Sequence, residues 1–117
     1  MYDMITLNPR IIPKTTRWGI ESLGYTPKTT FWSDFCIADA SGEAGVRDTY
    51  KRAFEEWKTN TVYVTELAMV LNWKIWEHYE KNESLARVYD ELWRQCDGWC
   101  CENLKGEDAA YYFSTTD

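Results

Sequence analysis

DTYKRAFEEWK (residues 48–58), VYVTELAMVLNWKIWEHYEK (62–81) and ESLARVYDELWRQCDGWCCEN (83–103) stand almost end to end in a chain of 117 residues. Each reads as a helix. Over Glu43 to Lys58, the residues Val46, Tyr50, Ala53, Phe54 and Trp57 recur on one face at helical spacing. Asp48 and Arg52 add an i,i+4 ion pair in the favourable order. From Glu83 to Leu104 the residues Leu85, Val88, Tyr89, Leu92, Cys96, Trp99, Cys100 and Asn103 make the strongest periodicity in the chain. Gly98 sits inside that pattern and points to a kink or a close helix crossing. The middle segment is apolar on two sides. Val64, Leu67, Ala68, Leu71, Ile75 and Tyr79 form one stripe, and Met69, Trp73 and Trp76 a second. Such a helix lies at the centre of a bundle or at an interface, and the centre is favoured in a compact domain. Asn60 ends the first helix, Thr61 caps the second and Asn82 caps the third. The short connections make them antiparallel neighbours.

Outward from this block the pattern weakens. Residues 1–30 are irregular, because Pro9, Pro13 and Pro27 push the residues before them away from helix. PKTTRW (13–18) returns as PKTTFW (27–32), and each copy sets a threonine cap before a short apolar run. The first starts a brief helix ending near Gly24. The second starts one from Phe31 to about Ala40, closed by Gly42. Lys105-Gly106 is a stop signal, and the aromatic tail Ala109-Ala110-Tyr111-Tyr112-Phe113 packs back as a short helix or an extended segment. The expected fold is all-α: a single-domain helical bundle of four to five helices at 31–117, preceded by an irregular N-terminal arm at 1–30 with one short helix. A chain this long is one domain and buries a core without disulfides.

The formal net charge is −6. Residues 1–32 are net +2 and the remainder net −8, with 17 acids against 9 bases. An acidic body repels phosphate, which argues against direct binding of nucleic acid. MYDMITLNPRIIPK lacks the basic-then-apolar pattern of a secretion signal. Glu66, Asn72, Lys74 and Glu77 interrupt the best candidate for a membrane span. The expectation is a cytoplasmic protein with reduced thiols and no membrane partner.

Metal or nucleophile chemistry finds little footing. Cys96 and Cys100 share a helix face, and Cys36 or His78 would complete a zinc set. However, CxxxCC lacks the usual C-x2-C spacing, and both thiols hold core positions of the stripe. Cys101 is the more exposed. His78, the only histidine, reads as a boundary residue, since Glu77 and Glu80 beside it point elsewhere. The acids alternate with bases, no Glu-x-x-His occurs, and no phosphate loop or nucleophile elbow is present. No catalytic residue, metal ligand or cofactor is therefore assigned.

The surplus of aromatics remains. Seven tryptophans exceed what so small a domain encloses, and tryptophan is enriched at binding hot spots. Trp73, Trp76 and Met69, with Glu77 and Glu80 as an acidic rim, are the partner-binding candidates.

TTFWSDFCIAD (29–39), DTYKRAF (48–54), TELAMVLN (65–72), Leu92-Trp93 and the terminal TTD (115–117) together resemble a family of small proteins of unknown function from phages and conjugative elements of gut bacteria. The resemblance covers Thr29 to the C-terminus and implies a mobile-element setting and a cytoplasmic location. It transfers no functional residue. The leading expectation is a non-enzymatic protein–protein interaction module. Its sharpest form is an inhibitor of a host defence nuclease, of anti-CRISPR or anti-restriction type, bound to a host or element protein. A homodimer joined through the Trp73 and Trp76 stripe is the alternative. A small enzyme or metal-binding regulator built on Cys96 and Cys100 ranks third.

Overall fold

Four breaks in the helical pattern divide residues 26–116, which the computed structural model describes, into five helices: α1 (Phe31–Asp39), α2 (Gly42–Trp57), α3 (Thr61–His78), α4 (Glu83–Asn103) and α5 (Gly106–Thr116). The protein is an all-α bundle, with no strand among the described residues. The short helix expected before Gly24 lies outside those residues. The tail takes the helical of its two expected forms.

Each break has a local cause. Gly42 adopts a left-handed backbone at φ 72° and turns the chain between α1 and α2. Asn60 and Asn82 cap α3 and α4, accepting the N–H of Tyr63 at 3.1 Å and of Leu85 at 3.2 Å. Thr61 is thus the first residue of α3 and not its cap. That helix ends at His78, three residues short of Lys81, because Asn82 is committed to α4 and the chain must turn over 79–82. The N–H groups of Lys81 and Asn82 both bond the His78 carbonyl.

Thr30 does not cap α1 either. Its hydroxyl donates to Asp34 at 2.9 Å. The segment ahead of α1 is instead held by Glu66 of α3. This buried carboxylate accepts the N–H of Lys28 at 2.8 Å, the N–H of Thr29 at 3.0 Å and the Thr29 hydroxyl. A carboxylate is tolerated inside a protein only when donors surround it.

α3 is the central helix and touches all four others. An unbroken run from Val64 to Ile75 is buried, as the two apolar stripes require. α4 returns alongside it, and the core positions Leu85, Val88, Tyr89, Leu92, Cys96 and Cys100 are buried as their spacing demands. Edge-to-face ring pairs knit the layers, with centroids 5.3 Å apart for Trp32 and Trp73 and 5.5 Å for Phe54 and Trp99. Tyr112 anchors α5, donating to Asp97 of α4 at 2.6 Å. Gly98 makes no close helix crossing, and the tight glycine is Gly45, set against the turn between α1 and α2. A Cβ at Gly45 would lie 2.5 Å from the Ser41 Cβ, whereas one at Gly98 would meet nothing within 4 Å.

Candidate functional site

Two places concentrate polar chemistry or exposed apolar surface. The first is a cluster where α1, α3 and α4 meet. Lys74, at helical spacing from the buried Val70 and Leu71, has no exposed side-chain surface. Its ammonium lies 2.6 Å from Asp39 Oδ2, at the end of α1, and 3.0 Å from Glu77 Oε2, one turn on. It donates to Cys36 Sγ at 3.6 Å and stands 4.9 Å over the Trp32 ring, a cation–π distance. His78 Nε2 is 2.9 Å from the same Asp39 oxygen. The Tyr89 hydroxyl donates to Asp39 Oδ1 at 2.5 Å, and its ring stacks on His78 at 5.7 Å.

The electrostatics follow from these contacts. Burial works to raise the Asp39 carboxyl, but the hydrogen bonds from His78, Lys74 and Tyr89 outweigh it and hold the group below its ordinary value. Burial works to lower the Lys74 ammonium, but Asp39 and Glu77 outweigh it and hold the lysine above its ordinary value. Burial and the bond to Asp39 push the Tyr89 phenol up. Within the cluster, Lys74 and Asp39 are thus held as a cation–anion pair, with Tyr89 as a neutral donor. Asp39 Oδ2, Glu77 Oε2 and His78 Nε2 lie within 4.8 Å of one another, a spacing that suits a metal ion. The Lys74 ammonium already occupies the cation's place among those oxygens, so a divalent ion must first displace it. The arrangement is a clasp between three helices.

The second place is a groove of about 610 Å³ between α1 and α2, running from Thr30 and Trp57 at one end to Ser41 and Gly45 at the other. Phe31, Ala38, Ala53 and Trp57 supply its apolar lining, and Asp34, Asp48 and Glu56 its acids. Arg52 bonds Asp48 at 3.0 Å. Ile37 stands at its edge with 73% of its surface exposed, the only large apolar side chain so exposed among the described residues.

The partner-binding candidates scatter. Met69 and Trp73 are 3% and 1% exposed, covered within the chain, so neither offers a surface to a partner or a two-fold interface. The reason is position: they lie on the central helix, whose second apolar stripe faces protein as the first does. Trp76 is half-buried and packs against Tyr79 at 5.6 Å. Glu77 is bound to Lys74, and Glu80 is exposed. None of the six described tryptophans is fully exposed. Cys96 and Cys100 are buried, while Cys36 and Cys101 lie on the exposed side. A hydrogen bond with Cys100, and burial, push the Cys96 thiol well up, which disfavours a thiolate ligand.

Sequence reasoning missed Asp39, Tyr89 and Ile37, and it weighed Cys36 only as a zinc ligand and not as an acceptor for Lys74. The first two find His78 and Lys74 only through the packing of separate helices. His78 is a boundary residue as expected, yet it has a carboxylate partner in Asp39 of α1, and Glu77, expected to point elsewhere, brings Oε2 to 3.7 Å from its Nε2. The available signal was Lys74 itself, a charge amid apolar residues that required a counter-charge. No protein-family model matches the sequence, and no curated protein or solved structure is similar to it. Among the described residues no helix is long and apolar enough to cross a membrane.

Proposed function

We propose that this protein is a non-enzymatic interaction module that binds a partner protein through the α1–α2 groove. One observation carries the reading: Ile37, 73% exposed, borders a groove that also has apolar walls. An isolated exposed apolar residue is ordinary, but one at the mouth of a concave, partly apolar surface fits an anchor for a partner. The clasp around Lys74 supports a scaffold role over a catalytic one. Three donors engage its central carboxylate, and its lysine is held charged. In its sharpest form the protein is a cytoplasmic product of a phage or conjugative element that inhibits a host defence nuclease. The net charge of −6 suits a basic, nucleic-acid-handling target. The docking surface, however, is moved from the Trp73 stripe to the groove.

The test is a photo-crosslinking residue at position 37, irradiated in bacterial lysate with and without added nuclease, with a second probe at exposed Glu102 on α4 as control. A single protein captured in near-stoichiometric yield from position 37 alone, and retained after nuclease treatment, is the expected result. Equal labelling from both positions, or none from position 37, refutes the groove as the binding surface.

A further inference from the structure

We infer that the occupant of the α1–α2 groove is a basic segment carrying one apolar anchor, an inference that rests on the interaction reading above. The rim sets the sign of the charge. Among the described residues Asp34, Asp48 and Glu56 line the groove, with Arg52 as the only base. Arg52 is already committed to Asp48 at 3.0 Å. The local charge is thus negative, and lysine or arginine side chains flanking an anchor would complement it.

The same charges decide against two other occupants. A second copy docked groove to groove would obey two-fold symmetry and set one acidic rim against another. A nucleic acid would bring phosphates to an acidic rim. The geometry sets the length. The groove runs the whole of α1, nine residues, or roughly 14 Å at the helical rise. About two to three helical turns, or about four extended residues, span that distance. The anchor's place is beside Ile37 and Ala38, with cationic groups reaching Asp34 on one side and Glu56 on the other.

The test uses two synthetic amphipathic peptides with the same leucine pattern, one with lysine and one with glutamate at every polar position. Binding is read by fluorescence anisotropy at low and high salt. The variants are Ile37→Ser, the rim reversal Asp34→Lys with Glu56→Lys, and a control reversal of equal charge, Glu102→Lys with Glu107→Lys, at exposed positions outside the groove. The lysine peptide is expected to bind the parent protein and the control. It should lose about tenfold or more in affinity to the rim reversal and to Ile37→Ser, with the rim-dependent part falling as salt screens it. The glutamate peptide should not bind.

Equal losses in the rim and control reversals would reduce the binding to net charge and overturn the inference, as would failure of the lysine peptide to bind. Binding of both peptides that is lost in Ile37→Ser but indifferent to the rim would overturn the basic partner while leaving the groove as a docking site. Failure of the groove itself is read separately, by the crosslink from position 37.

Discussion

Lys74 Nζ lies 2.6 Å from Asp39 Oδ2, joining the middle of the central helix to the end of α1. The lysine is fully buried and the aspartate is half-buried. Removing Asp39 leaves the buried Lys74 with only the part-exposed Glu77 as counter-charge, a loss toward the lower end of the about 3–5 kcal/mol for breaking a buried pair. Asp39→Asn should therefore cost about 3 kcal/mol in urea denaturation. Lys74→Met in the Asp39→Asn background should recover part of that loss. Equal stability of Asp39→Asn and the parent would show the clasp to be dispensable.

The same pair sets two pH edges. The Asp39 carboxyl is depressed on folding, so its contribution is complete above the unfolded value of about 4 and is lost as pH falls through the lower folded value. The Lys74 ammonium is raised on folding. Its contribution is complete below the unfolded value of about 10.4 and is lost as pH rises through the higher folded one. Glu91, bound to Arg47, and Glu83, bound to Arg87, are also depressed, so the informative quantity is the difference between the parent and Asp39→Asn. That difference in melting temperature should shrink toward strongly acidic pH; a constant difference would contradict the assignment.

Trp73 is 1% exposed and packs edge-on against Trp32 at 5.3 Å. Trp73→Ala should act on folding, with a loss of about 3–5 kcal/mol or outright unfolding. Circular dichroism and denaturation read the outcome. A folded, stable variant that had lost only partner binding would return this ring to the interface.

Two glycines should respond with opposite signs. Gly45→Ala places a methyl 2.5 Å from the Ser41 Cβ and 3.0 Å from the Ala38 carbonyl oxygen, so it should destabilise the bundle by about 1–3 kcal/mol. Gly98→Ala meets nothing within 4 Å inside α4 and should stabilise it by up to about 1 kcal/mol. Thermal melts of the two variants, measured together, check the contrast.

Cys96 and Cys100 are packing residues, with no exposed surface. Native thiol titration should modify Cys36 and Cys101 quickly, and the buried pair only at the rate of unfolding. Cys96→Ser with Cys100→Ser should lower stability by about 1–3 kcal/mol for each hydroxyl left without a partner. If zinc stabilised the parent protein and chelator abolished the effect, the pair would be a metal site after all.

Local signals settled the helices. Hydrophobic spacing of three and four residues needs no tertiary knowledge, and so α2, α3 and α4 are legible from the chain, as is the central place of a segment apolar on two sides. The asparagine caps, Gly42 and the Asp48–Arg52 pair are equally local, since each acts within one turn. The limits appeared where two residue types compete for one job, as when Asn60 took the cap assigned to Thr61, and where a contact is remote in sequence, as when Glu66 holds Lys28 and Thr29 ahead of an α1 that Thr30 does not cap. Only the tertiary structure decided which apolar face is covered and which is bare. Met69 and Trp73 looked available because composition counts rings without saying what lies over them, and Ile37 looked ordinary because its exposure depends on how α1 sits on α2. The clasp was hidden for the same reason. Lys74 announced a need for counter-charge, and Glu77 answers part of it one turn on, but Asp39 answers from α1 with Tyr89 of α4 bonded to it, and a distance across packed helices is not written in the spacing along any one of them.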